Sequence, residues 1–177
     1  MKDDKIKKLV TSAMLAALCC VATMSIRIPT FATNGYVNAG DIIVLLSAWL
    51  VGGIYGALAA GIGSGMSDLL SGYTHYVPGT FLIKFLMAFV AALIVSALIK
   101  RKMPKAAAYI ISAAAAELVM IAGYFVYQST LLGYGLAASA SIPGNIAQGV
   151  TCGAAAVILV AVLGAAKIPF SVSAGQS

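Results

Sequence analysis

The sequence predicts an all-α integral membrane protein, a bundle of six transmembrane helices with both termini cytoplasmic. Three observations carry this. Of 177 residues, 62% are hydrophobic and 9% charged, where a soluble domain has roughly 45–50% and about 25%. The apolar residues form six runs, and the charges sit almost entirely at the ends of those runs. The basic clusters Lys2, Lys5, Lys7, Lys8 and Lys100, Arg101, Lys102, Lys105 fall on one side with Lys167 when the chain crosses six times, as the positive-inside rule requires. Five or seven crossings would put the Lys100 cluster and a terminus on opposite sides.

Each crossing needs about 20 residues, so six use roughly 120 and leave only short loops and tails. The chain therefore reads as a single membrane domain, 1–177, with spans at about 8–26, 40–51, 54–71, 79–99, 106–130 and 143–166. Span one follows a basic start and resembles a signal peptide. Its apolar run is long, however, and Ala22-Thr23-Met24 is a poor cleavage site, so it reads as a retained span. Pro29 stops it, and residues 31–39 form a polar loop with Asn34-Gly35 and Asn38. Span two is short, which makes it tilted or only partly spanning. Gly52-Gly53 separates it from span three, and Gly72-Tyr-Thr-His-Tyr-Val-Pro78 is the next loop. Span four ends in the basic stop Lys100–Lys105. A small-residue loop, 131–142, follows span five. Pro143 lies in the first turn of span six, and Pro169 blocks its continuation.

Several function classes are excluded. The net charge of +6 comes without aromatic residues interleaved among the basic ones, so it points to the bilayer surface and not to nucleic acid. Cys19, Cys20 and Cys152 lack metal-ligand spacing, and a single histidine leaves no material for the usual metal sites. Catalytic Ser/His/Asp sets, paired catalytic acids and Walker motifs do not emerge, so the chain reads as a non-enzyme without a cofactor. Gly61-Ile-Gly63-Ser-Gly65 is glycine-rich, but it lies mid-membrane and lacks the Lys-Ser/Thr of a nucleotide loop. The two halves share no breaker pattern, against the inverted repeats of many secondary transporters.

Small residues recur at four-residue steps in span three (Gly53, Ala57, Gly61, Gly65, and Gly56, Ala60, Ser64, Asp68), in span six (Gly149, Gly153) and in span one (Ala13, Ala17). Such rows let backbones approach closely. They fit internal packing and docking of another membrane subunit equally well.

Ionisable groups within hydrocarbon are costly, which makes each a functional candidate. Arg27, Asp41, Asp68 and Lys84 fall in the outer third, and Glu117 near the midplane. Thr80 lies one turn from Lys84. His75 is in an outer loop, Tyr124 is at the outer end of span five, and Asn145 and Gln148 open span six. The inner half holds almost nothing comparable. This asymmetry describes an outward-facing polar cavity, not a pore or a proton relay. Lys84, Tyr124, Asn145 and Gln148 read as ligand contacts, with Thr80 and His75 beside them. Asp41 reads as a helix cap, and Asp68 as a neutralising partner for Lys84. Glu117 fits either a ligand amine or Lys84. A membrane receptor is the reading these residues favour. A small structural or assembly protein and a stand-alone facilitator are the alternatives.

The ordered set Tyr36-Val-Asn-Ala-Gly-Asp41, Gly52-Gly-Ile-Tyr-Gly56, Gly61-Ile-Gly-Ser-Gly-Met-Ser-Asp68, Tyr76-Val-Pro-Gly-Thr80 and Lys84 resembles the substrate-binding S component of an energy-coupling factor (ECF) transporter. The subgroup it is most similar to is assigned to riboflavin-like, pyridoxine and hydroxymethylpyrimidine uptake. The resemblance implies a prokaryotic cytoplasmic-membrane protein that binds a small B-type vitamin or precursor at its outer side. Contacts would come from the first outer loop, where Asn38 lies, and from the outer parts of spans four to six. It further implies partnership with a membrane coupling subunit and two ATPase subunits. Ala13 and Ala17 match an Ala-xxx-Ala docking motif on the first span.

Overall fold

A computed structural model of the protein describes residues 2–30 and 35–165. Lys167, Pro169 and the rest of the C-terminal tail lie outside the described residues, so the expectations placed on them have no structural counterpart. Among the described residues, six α-helices occur in order: α1 Lys2–Ser25, α2 Gly40–Leu50, α3 Gly53–Leu70, α4 Val77–Lys100, α5 Lys105–Val126 and α6 Ile142–Ala165.

The chain departs from the expected pattern at two of its connections. The polar loop after span one is in part a hairpin: β1 Arg27–Thr30 pairs antiparallel with β2 Gly35–Asn38, with Ile28 opposite Val37 and Pro29 opposite Tyr36. The β-formers Ile28, Tyr36 and Val37 favour it, and a two-stranded ribbon has the free edge that Pro29 needs. The stretch after α5 is also not an open loop. It continues as a π-type turn, Tyr127–Leu131, and a 3₁₀ segment, Gly135–Ser141. These turns keep backbone groups paired where an irregular loop would leave them exposed.

Among the described residues, four helical segments are long and apolar enough to cross a membrane: Asp4–Ser25, Val77–Lys100, Lys105–Leu131 and Gly135–Ala165. The other two helices differ. With 11 residues, α2 is only about 16 Å long, against roughly 30 Å of hydrocarbon. Five glycines dilute the 18 residues of α3. Yet α2 is the most enclosed helix. It touches α1, α3, α4 and α6, and nearly all of its residues are buried.

Positive φ at Gly52 (69°) and Gly53 (53°) lets the chain turn between α2 and α3 without Cβ strain. The glycines of α3 are largely internal packing devices. A Cβ on Gly56 would stand 2.4 Å from the Ser47 carbonyl oxygen, one on Gly63 2.4 Å from that of Ala16, and one on Gly61 2.9 Å from that of Phe81. Thus α3 meets α2, α1 and α4 through glycine. Ala13 and Ala17 instead lie on the exposed side of α1.

Val44, Leu45, Trp49, Met87, Ala88, Ala116 and Met120 form the heart of the apolar core. Outward faces carry Leu9, Met14, Val21, Leu118, Val150 and Ile158, side chains that a hydrocarbon solvent suits.

Candidate ligand cavity

Three connections meet at one end of the bundle. Tyr36 of the hairpin donates to Asp68 Oδ1 at the end of α3 (2.5 Å), the Asn38 N–H donates to Gln148 Oε1 on α6 (2.6 Å), and the Tyr127 hydroxyl donates to the His75 carbonyl (2.6 Å). The basic turn between α4 and α5 is at the other end. Under the hairpin, polar side chains from α1, α3, α4, α5 and α6 enclose a cavity lined by Thr23, Tyr36, Asn38, Ser64, Asp68, Tyr76, Thr80, Lys84, Tyr124, Gln128, Ser141, Asn145 and Gln148. Its free volume is about 30 Å³, enough for roughly two waters. A ring compound enters only if the hairpin or these side chains give way.

The cavity is held by a chain of buried bonds. Lys84 is 2% exposed and Asp41 0%. The Lys84 ammonium pairs with Asp41 Oδ1, Gln148 Nε2 donates to Asp41 Oδ2, and the hairpin N–H of Asn38 completes Gln148. One carboxylate thus ties α4 to α6, and Gln148 ties both to the lid-like hairpin. A buried charge without a partner would be strongly unfavourable, so the pair explains how Lys84 is tolerated. Lys84 Nζ also stands 5.4 Å from the centre of the Tyr124 ring, within cation–π range.

A second chain closes the far wall. Tyr124 donates to Thr80 Oγ1 (3.1 Å), Gln128 Nε2 to the Tyr76 hydroxyl (3.3 Å), and Ser141 to Gln128 Oε1 (2.7 Å). Outside the spans, burial and then the neighbouring Asp68 carboxylate push the Tyr36 phenol up, which keeps it a proton donor.

Of the residues expected to contact a ligand, Asn38, Thr80, Lys84, Tyr124, Asn145 and Gln148 line this cavity. His75 does not; its side chain is exposed and packs against the Tyr76 ring at 4.8 Å. Glu117 does not either. It borders an apolar groove between α5 and α6, packed against Gly149, and neither carboxylate oxygen has a partner among the described residues. Of its two expected partners, Lys84 forms its ion pair with Asp41 instead.

Two further expectations are corrected. Asp41 makes no capping bond; Ala39 is the N-cap of α2, without a side-chain bond, and the Asp41 carboxylate turns inward to Lys84 instead. Asp68 is not the hydrogen-bonded partner of Lys84 but accepts from Tyr36. Sequence reasoning also passed over Thr23, Tyr36, Ser64 and Ser141 as cavity residues and read Asp68, a lining residue too, as structural. The usable signal was position: Asp68, like Lys84, lies in the outer third. No group of three potential metal ligands occurs among the described residues.

Comparison with known proteins decides the class. The family model for the ECF-type riboflavin transporter S component matches residues 3–165. The chain belongs to this family. Its family is that of S components of membrane transporters. A solved S component of a bacterial ECF transporter shares the fold, with a TM-score of 0.69 and 22% identity over 93% of this chain and 99% of that one. An uncharacterised protein in the gap 3′ region of Pyrococcus woesei is 44% identical over 64 residues, 36% of this chain and 43% of that relative. The matched part of the S component spans less than half the length of that relative.

Proposed function

We propose that this S component captures a small B-type vitamin or precursor from outside the cell and hands it to an ATP-driven module made of a membrane coupling subunit and two ATPase subunits. Riboflavin-like compounds, pyridoxine and hydroxymethylpyrimidine are the candidate substrates. The observation that carries this reading is the enclosed polar cavity at the hairpin end of an otherwise apolar bundle. Polar groups so deeply placed discriminate well, because a wrong ligand leaves them unpaired. Tyr124 would stack on the ring, while Lys84 and Asn145 would meet its polar edge and Gln148, bonded to Asp41 and Asn38, would hold the hairpin over it.

The orientation that goes with this reading has six crossings, with the short α2 enclosed by its neighbours, and both termini in the cytoplasm. The Lys100–Lys105 turn then lies inside and the cavity outside. Ala13 and Ala17, on the exposed side of α1, would face the coupling subunit.

Equilibrium dialysis of the purified protein against riboflavin, pyridoxine and hydroxymethylpyrimidine tests the reading. One compound binds tightly, one to one, and raises the melting temperature. If none binds tightly, the receptor reading fails. Liposomes containing this chain alone should show little or no turnover; sustained flux would indicate a facilitator.

A further inference from the structure

Most hydrogen-bonding groups around the cavity are already paired with each other. Both Asp41 oxygens, both ends of the Gln148 amide and both ends of the Gln128 amide are taken. Three lining atoms are left without a partner among the described residues: Thr23 Oγ1, Asp68 Oδ2 and Asn145 Nδ2. Their residues are 3%, 3% and 7% exposed. They come from α1, α3 and α6, so they surround the cavity and do not cluster on one wall. Buried polar atoms are nearly always satisfied, and leaving them unpaired is costly. Three such atoms on one cavity mark the positions where something else completes the bonding.

The kind of atom left over carries chemical information. Asp68 Oδ2 is an acceptor only, whereas an amide nitrogen is a donor only. The Tyr36 hydroxyl holds the other Asp68 oxygen, which fixes the carboxyl. Thr80 supplies a second hydroxyl beside the same carboxyl. Charge points the same way. Lys84 is the one cationic side chain among the lining residues, and Asp41 already balances it. Arg27 lies on the exposed strand of the hairpin, 5.8 Å from the Tyr36 ring centre. An added anion would find a carboxylate at Asp68 and no uncommitted cation facing it.

On the reading that this cavity holds the transported compound, we propose that Asp68 is its specificity-determining residue. Asp68 Oδ2 accepts a hydrogen bond from an N–H or O–H of the ligand, and the Asn145 amide donates one to an acceptor on the same molecule. The ligand class is a small neutral or cationic heteroaromatic compound that carries both groups. Phosphate esters of the same ring are rejected. Thr23, able to donate or accept, tolerates either group.

The test starts from whichever of riboflavin, pyridoxine or hydroxymethylpyrimidine binds in dialysis. Affinity is measured for that compound, for its phosphate ester and for analogues methylated or deoxygenated at each donor in turn, with the wild-type protein and with Asp68→Asn. One donor-blocked analogue should lose about tenfold to a hundredfold with the wild type. Asp68→Asn should cost the parent compound a similar factor, and the same analogue should lose almost nothing more on that variant. The phosphate ester should bind at least about tenfold more weakly than the parent, through charge repulsion in a partly desolvated site. An unliganded melting temperature for Asp68→Asn close to the wild type separates ligand contact from a folding defect.

Additive losses at every donor, or tighter binding of the phosphate ester, would overturn the assignment of Asp68 while leaving the receptor reading intact. Absence of binding by all three parent compounds would overturn both.

Discussion

The two ends of α2 meet opposite kinds of surroundings. At its start, Asp41 enters a network of charged and amide groups that runs from the hairpin to α4 and still leaves lining atoms unpaired. At its end, Trp49 stacks obliquely on Tyr109 at 4.9 Å and donates its indole N–H to Ser112 (3.1 Å), which in turn donates to the Tyr109 carbonyl. That second cluster is closed, because each of these donors has its acceptor. A closed polar cluster in an apolar core serves packing. A cluster with donors and acceptors left over is built around something further. The contrast, within one helix of 11 residues, separates an open polar end from a closed one more clearly than burial does, since both are buried.

The largest effect should come from breaking the ion pair. Lys84→Met leaves Asp41 buried and unpaired and should destabilise the fold by about 3–5 kcal/mol, read as a large drop in melting temperature in detergent. The double variant Asp41→Leu/Lys84→Met should recover much of that stability yet bind no ligand. Recovery of binding as well would mean that the polar end is structural after all.

A smaller effect is expected between the two ends, where α3 meets its neighbours. Gly56→Ala places a methyl against the Ser47 carbonyl, which cannot move aside, and should cost about 1–3 kcal/mol. Ligand affinity per folded molecule should be unchanged, as dialysis normalised to folded protein would show.

At the closed end, Trp49→Phe removes one hydrogen bond and should cost about 0.5–1.5 kcal/mol without altering ligand affinity. A change in affinity equal to that of a cavity variant would erase the contrast between the ends. Smallest of all, Ala13→Leu or Ala17→Leu, on an exposed face, should shift stability by no more than about 0.5 kcal/mol. Either should nevertheless weaken co-purification with a coupling subunit. Equal loss of ligand binding would assign that face to internal packing.

The helices themselves were legible in the chain. Run length and the breakers Pro29 and Gly52-Gly53 act locally, and α1 ends at Ser25 and α2 at Leu50, just before them. The gathering of Lys84, Tyr124, Asn145 and Gln148 at one end was legible too. Depth in a span follows from counting residues, and depth decides which polar groups can meet.

What counting could not supply was azimuth, meaning which side of each helix faces which neighbour. That is why Asp68 was matched to Lys84 on depth alone, whereas contact between α2 and α4 delivers Asp41 to it. It is also why Glu117, at a plausible depth, turns out to border the α5–α6 groove. The hairpin escaped for a related reason, because strand pairing joins residues that only the folded bundle holds together. Sequence by itself determined the apolar helices and the polar end, since solvent preference is a property of each side chain and its near neighbours. Partner choice within that end was decided by the tertiary structure, because rotation of packed helices depends on every contact at once.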